Sequence, residues 1–242
     1  MTLLVLMFHR ARAEKHGNPA EMLDAHFGHI ASSHRNVMPG EPLTPGRLNI
    51  CLSFDDGYFD FYATVFPLLK KYDLRALLGI PPFMIRERID ANAECRLAVP
   101  SEDAFAHPSL GGFCAWQELD EMGASGHVTI AAHGFTHTRL DVAGVNLATE
   151  IDAPQTVLGS RFADPIESFI FPYGRYSERC LQWAKRRYRY VFRIGGALNR
   201  SWNGRVLYRI EADRMQSASA LFAPTRLASY RARYLWNRLR RR

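Results

Sequence analysis

No stretch of the 242-residue chain is apolar for long enough to cross a bilayer. The longest runs, Leu3 to Phe8 and Ala76 to Ile85, fall well short of the roughly 20 residues required, and the second contains Pro81 and Pro82. The start lacks the basic segment, apolar stretch and small-residue cleavage site of a secretory leader, so a mature, cytoplasmic chain is expected. Cysteine is scarce: Cys51, Cys95, Cys114 and Cys180 form no CxxC pair and no zinc-finger spacing. That excludes a disulfide scaffold and leads to the expectation of buried, reduced thiols. Internal repeats, low-complexity segments and Gly- or Ser-rich linkers are also lacking, which excludes solenoids and tandem domains.

What is present suits one large folded domain: 47% of the residues are hydrophobic and 23% charged. The net charge of +7 is local. Seven arginines and no acid lie between Arg226 and Arg242, and without them the body carries as many basic as acidic residues. The reading is therefore a domain at 1–224 followed by a basic, Arg-rich helix or tail at 225–242. A neutral body without an aromatic, basic groove argues against nucleic acid as a partner.

Apolar runs bounded by turn residues predict buried strands at Leu3 to Phe8, Leu48 to Phe54, Arg75 to Ile80, Val128 to Ala132, Glu167 to Phe171 and Tyr190 to Ile194. Helical spacing fills the gaps at Met22 to Ser32, Tyr58 to Tyr72, Trp116 to Ala124, Val145 to Leu158 and Ser177 to Arg187. Strand then helix, repeated, is the pattern of an α/β fold with a parallel sheet or barrel, in which chemistry collects where strands end. Asp90 to Gly112 breaks the pattern and reads as a long excursion, a lid or a solvated insertion.

Three strand ends carry candidate chemistry. Asp55 and Asp56 follow the second strand; neighbouring carboxylates repel, so the pair is easiest to hold when one binds a cation. His133 and His137 follow the fourth, and on a helical turn their i, i+4 spacing would aim both imidazoles at one ion, with Gly134 allowing close backbone approach. Two histidines and one carboxylate make a recurrent open site for zinc or iron. Pro172-Tyr173-Gly174 follows the fifth, in a tight turn able to present a backbone N–H to an oxyanion.

The ordered set SFDDG (53–57), HGFTH (133–137) and FPYG (171–174) resembles the polysaccharide deacetylases of carbohydrate esterase family 4, the NodB-homology group. The resemblance runs from Leu3 to about Arg214 and includes Phe66 to Tyr72 and Trp116 to Leu119. It implies a single-domain, distorted (β/α)7 barrel and a metal-dependent hydrolase that removes N-acetyl groups from an amino sugar. By the same resemblance Asp55 is the general base, Asp56, His133 and His137 hold one divalent ion (zinc first, then cobalt, nickel or iron), and the Tyr173 amide faces the oxyanion.

Two departures stand out. Most members place an arginine just before the Pro-Tyr of the third motif, where this chain has Phe169-Ile170-Phe171; Arg209 is the candidate replacement. Most also carry a late Leu-His supplying the general acid, whereas no histidine follows His137. Leu6-Met7-Phe8-His9 instead resembles the N-terminal segment of circularly permuted deacetylases acting on poly-N-acetylglucosamine, which makes His9 the candidate acid. His16, His26, His29, His34, His107 and His127 are expected at the surface or in packing roles. The expected partner is an N-acetylated saccharide in assembly of lipopolysaccharide, O-antigen or exopolysaccharide, with the tail as a peripheral contact to the inner membrane surface. The departures also motivate an alternative, a non-catalytic saccharide-binding protein with a degenerate site.

Overall fold

The buried strands are apolar on both faces, and such strands are stable only when both faces are covered. In the computed structural model, which describes residues 1–240, the order is β1 (Thr2–Phe8), α1 (Ala20–Ser33), β2 (Arg35–Asn36), β3 (Leu48–Phe54), α2 (Phe66–Tyr72), β4 (Ala76–Ile80), α3 (Ala93–Ala98) and α4 (Ser101–Ala106). It continues with α5 (Trp116–Ala124), β5 (Val128–Ala132), α6 (Ala153–Gly159), β6 (Ser168–Ile170), α7 (Glu178–Arg187), β7 (Tyr190–Ile194), β8 (Leu207–Glu211) and α8 (Pro224–Leu239).

All strand pairs are parallel, in the order β1-β8-β7-β6-β5-β4-β3, and β1 pairs with β3 to close the ring. The result is a seven-stranded barrel in a single α/β domain, with the two-residue β2 added to the lower part of β3. The barrel is distorted where β6 is short: β5 and β6 share only the pairing of Ala132 with Phe169. Alternate residues divide the core. Leu3, Val5, Cys51, Leu77, Ala131, Ile170 and Leu207 pack together inside, whereas Leu4, Leu6, Phe8, Leu52 and Phe54 pack with Phe27, Leu69 and other helical residues outside.

The differences from the sequence expectation have local causes. β8 is hidden from a hydrophobicity pattern by Arg209 at its centre and Glu211 at its end. The helical stretches beginning at Tyr58 and Val145 each start late, with a wide π-type turn (Phe61–Val65 and Ala148–Asp152) before the regular helix. The excursion at 90–112 is not a bare loop but holds α3, α4 and a 3-10 turn. It is tied to the barrel by the buried Arg10, whose Nε donates to Asp60 Oδ2 at 2.6 Å and whose guanidinium also donates to Ser101 Oγ at 3.1 Å. All four thiols are free and three are buried, but Cys95 is exposed, against expectation, because it lies on α3, at the surface of that excursion. His26 is fully buried, with Nδ1 2.5 Å from the Ala218 carbonyl.

The 224/225 boundary falls inside the first turn of α8, and this helix packs on the barrel. Tyr230 is buried, its carbonyl accepts from the Leu198 N–H at 3.4 Å, and Asn237 Nδ2 donates to the Gly195 carbonyl at 3.3 Å. Leu235, Trp236 and Leu239 remain exposed; Arg241 and Arg242 lie outside the described residues. Among the described residues no helix is long and apolar enough to cross a membrane.

Phe8 is fully buried and stacks on Phe54 with ring centroids 4.8 Å apart, locking β1 to β3 from outside the barrel. Phe8→Ala is expected to cost about 3–5 kcal/mol of stability, read as a lower urea midpoint; an unchanged midpoint would mean that β1 is not part of the cooperative core.

Candidate active site

His9, Asp55, Asp56, His133, His137, Tyr173 and Arg209 all line one cavity of about 590 Å³ at the C-terminal rim of the barrel. The chain bends sharply to bring them there. Among the described residues, three of the five non-glycine positions with positive φ are Asp56 (72°), His137 (60°) and Tyr173 (57°). Each such conformation costs of order 1–3 kcal/mol and persists only where the surroundings impose it. At Asp56 the left-handed turn, followed by Gly57 at φ 69°, lets adjacent carboxylates serve different partners: Asp55 meets an arginine and Asp56 meets two imidazoles.

His133 and His137 do not share a helical turn, as their spacing had suggested. They sit on an irregular loop after β5, shaped by the buried Glu150, whose Oε2 accepts from the N–H groups of Phe135 (3.0 Å) and Thr136 (3.1 Å) and whose Oε1 accepts from Thr136 Oγ1 (2.6 Å). Gly134 is at φ 71°, where an added Cβ would press on Pro172 at 3.1 Å and Glu150 at 3.2 Å.

Asp56 Oδ1 lies 3.4 Å from His133 Nε2 and 3.2 Å from His137 Nε2, and one ligand atom from each of the three residues falls within 4.8 Å of the others. This oxygen is buried without a hydrogen-bond partner, which suits an atom that awaits a cation. His133 Nδ1 is 2.9 Å from the Ile170 carbonyl, a contact that fixes the ring with Nε2 toward Asp56. Burial pushes His137 down to about 4 against the pull of Asp56, leaving a neutral imidazole with a free lone pair at pH 7. Its ring is flanked by Phe105 of α4 and Tyr173, each with its centroid 4.7 Å away. The residues therefore fit a divalent cation with three protein ligands and open positions.

Asp55 is held from the opposite side. Arg209, wholly buried on β8, donates through both terminal nitrogens to its two oxygens at 2.5 and 2.8 Å, and one of them also reaches Ser53 Oγ at 3.1 Å. Burial opposes the carboxylate charge, but Arg209 and, secondarily, His133 hold Asp55 below the usual carboxylate range. Phe169, Ile170 and Phe171, the three residues before Pro172, are apolar and fully buried.

His9 was read from the sequence; its partner was not. Nδ1 is 2.6 Å from Asp213 Oδ2, and Asp213 Oδ1 also accepts from the His9 backbone N–H at 3.2 Å. Burial disfavours the imidazolium, yet the Asp213 hydrogen bond and the charges of Asp55, Asp213 and Asp56 raise His9 to about 9. His9 Nε2 and His133 Nε2 each lie 3.8 Å from Asp55 Oδ2. His16 is exposed, as expected, with its ring centroid 5.7 Å from that of His9. Sequence reasoning also missed Glu150, and no periodic pattern marks it or Asp213, since each acts through a hydrogen bond made outside its own element.

A parallel barrel with an ionised carboxylate, a protonated imidazole and an Asp-His-His cluster at its C-terminal rim is the framework of a hydrolase. Residues 44–191 match the profile of the polysaccharide deacetylase family, more than half of the chain. The chain thus belongs to that family, whose members hydrolyse N-acetyl amide bonds. The matched segment contains all three motifs and excludes His9 and Arg209. YxkH of Bacillus subtilis, whose name places it among polysaccharide deacetylases, is 23% identical over 239 residues, covering 91% of this chain and 75% of its own. The same fold occurs in IcaB from Ammonifex degensii (TM-score 0.73, 18% identity, 95% of this chain and 96% of that one). It also occurs in the de-N-acetylase of Aggregatibacter actinomycetemcomitans (TM-score 0.70, 21% identity, 92% and 99%) and in Streptococcus pyogenes deacetylase PplD (TM-score 0.72, 19% identity, 92% and 97%).

The His9–Asp213 pair fixes the sign of a pH effect. A raised pKa means that His9 stays charged in the folded protein until the pH passes about 9. Asp213→Asn removes the charge partner, so the His9 titration followed by NMR and the alkaline limb of the rate profile both move to lower pH. In Arg209→Gln the acid limb moves up, because Asp55 loses the charge that holds its pKa down; an unmoved limb would show that Asp55 does not control it.

Proposed function

We propose that this protein removes N-acetyl groups from an amino sugar of a bacterial cell-surface polysaccharide or its lipid-linked precursor, as in lipopolysaccharide, O-antigen or exopolysaccharide assembly. The observation that carries the catalytic roles is the position of Asp55 Oδ2, 3.8 Å from the Nε2 atoms of both His9 and His133. One carboxylate oxygen thereby stands between a protonated imidazole and a metal-ligand candidate.

A divalent ion on Asp56, His133 and His137, with zinc best suited to a two-imidazole, one-carboxylate set, supplies Lewis acidity that polarises the amide and lowers the proton affinity of water. Asp55, aimed and kept ionised by Arg209, accepts the proton of the attacking water. The Tyr173 backbone N–H is assigned to the oxyanion, on the strained turn between Pro172 and Gly174. His9 donates its Nε2 proton to the departing nitrogen while Asp213 holds its other ring nitrogen. A C–O bond forms, the C–N bond breaks, and acetate and a free amine leave. Arg209 and His9 answer the two departures that motivated a non-catalytic saccharide-binding reading, and this supports the enzymatic one.

The far half of α8 supports a peripheral position on the cytoplasmic face of the inner membrane. Leu235, Trp236 and Leu239 project opposite Tyr230, Arg240 stacks over the Trp236 ring at 4.1 Å, and Arg231 and Arg238 flank them. An anionic bilayer matches both the apolar tip and its basic border.

Protein purified without an affinity metal is expected to hold about one divalent ion per chain by plasma mass spectrometry, and His137→Ala to lose it. Asp55→Asn keeps the ion and loses about 10²–10⁴-fold in acetate release from N-acetylglucosamine oligomers; retained turnover would remove Asp55 as the base. Replacing Leu235, Trp236 and Leu239 together by serine is expected to abolish binding to phosphatidylglycerol vesicles, and undiminished binding would refute the membrane assignment.

A further inference from the structure

A second cavity, of about 620 Å³, opens beside the catalytic one between the ends of β7 and β8 and the first turns of α8. The two cavities share Ile194 and Glu211 as common wall. Asp213, which holds His9 on the catalytic side, lines the second cavity too. Whatever fills the second cavity therefore lies next to the proposed acid.

Three arginines line this space: Arg214 from the turn after β8, and Arg226 and Arg233 from α8. Arg226, Tyr230 and Arg233 are spaced four and three residues apart, so they share the helix face that docks on the barrel. Gly196 lets the helix come close, since a Cβ there would collide with the Arg233 guanidinium. Arg214 is held in a left-handed conformation at φ 54°, and its carbonyl accepts from Gln216 Nε2 at 3.2 Å. Among the described residues none of these three side chains is in an ion pair or hydrogen bond. Asp213 is matched to His9, and Glu211 is the one other acid in the wall, which leaves two positive charges uncompensated.

We infer that this cavity is a subsite for a phosphate or diphosphate group carried by the saccharide, next to the N-acetyl group being removed. The inference rests on the deacetylase reading above and narrows it to an anionic, phosphate-bearing substrate. Two uncompensated charges suit a dianion better than a single carboxylate, and arginines supplied by two elements, the turn after β8 and α8, suit the several oxygens of a diphosphate. All three arginines are exposed, but they border one and the same open cavity. Their side chains would order on binding, turning repulsion among the cations into shared contacts with one anion.

The first test is calorimetric titration of pyrophosphate into the full-length protein, which needs no turnover. Binding is expected in the parent and in His137→Ala, and to weaken about tenfold or more in Arg226→Gln/Arg233→Gln. Arg226→Lys/Arg233→Lys and Arg214→Gln, each with its melting temperature recorded, guard against misfolding and should bind at intermediate strength. No binding by the parent, equal binding by the double glutamine variant, or loss of binding in His137→Ala would each overturn the subsite. In a second arm, acetate release is compared for an N-acetyl amino sugar with and without an anomeric diphosphate; the preference for the diphosphate should fall about tenfold in the double variant. Pyrophosphate binding with no hydrolysis of either sugar would defeat the deacetylase reading and leave the anion site standing. A third arm uses phosphatidylglycerol vesicles: loss of vesicle binding in the double variant, with pyrophosphate binding intact, would assign these arginines to lipid headgroups and overturn the proposal.

Discussion

The pairing of β1 with β3 is the constraint on which the molecule depends. Its register matches seven consecutive residues, from Thr2 with Leu48 to Phe8 with Phe54, and it joins the two ends of what would otherwise be an open sheet. Closure removes both exposed edges. It also sets the chemistry, because the residues that follow the last matched pair are His9 and Asp55. The Asp55 N–H donates to the Phe8 carbonyl at 2.9 Å, so the proposed acid and base leave adjacent strands at the same height. A slip of one residue would turn every side chain of β1 to the other face and part the two groups.

The Arg209–Asp55 pair has a different standing. Removing a guanidinium and a carboxylate from water is costly, and a buried ion pair of this kind returns little net stability. Its value is in position and charge state: Asp55 is fixed by two hydrogen bonds and kept ionised among imidazoles. The site carries other local costs of the same sort. Asp56 Oδ1 and Arg209 Nε are buried without partners, and Asp56, His137 and Tyr173 hold left-handed backbones. The continuous apolar packing of the seven strands and their helices is what bears them.

Around this centre the structure joins segments that the sequence presents separately. The excursion after β4 brings Phe105 against His137, anchored by the buried Arg10 that follows His9. The C-terminal arginines divide by helix face: Arg226 and Arg233 border a cavity, whereas Arg240 lies over the exposed Trp236. A count of charges along the chain sees one basic tail; the helix gives it an inner and an outer side.

The strands β1, β3, β5 and β7 were legible nearly to the residue, because a strand buried on both faces is a predominantly apolar run bounded by turn residues. The motif residues Asp55, Asp56, His133, His137 and Tyr173 were legible for a related reason: each sits where such a run ends, and the rim of a parallel barrel is where chains can turn and polar groups can collect. Arg209 was legible only as a candidate, since a charge inside a strand erases the apolar pattern that would announce it. Asp213 and Glu150 could not be read at all, and neither could the loop that replaces the helical turn expected at His133 and His137. Sequence alone thus determined six of the barrel strands and which residues stand at their ends, because burial and turn chemistry act over a few neighbouring positions. Tertiary structure decided which ends meet, which charges pair and how the arginines divide, because strand register and ring closure join residues some 200 positions apart, such as His9 and Asp213.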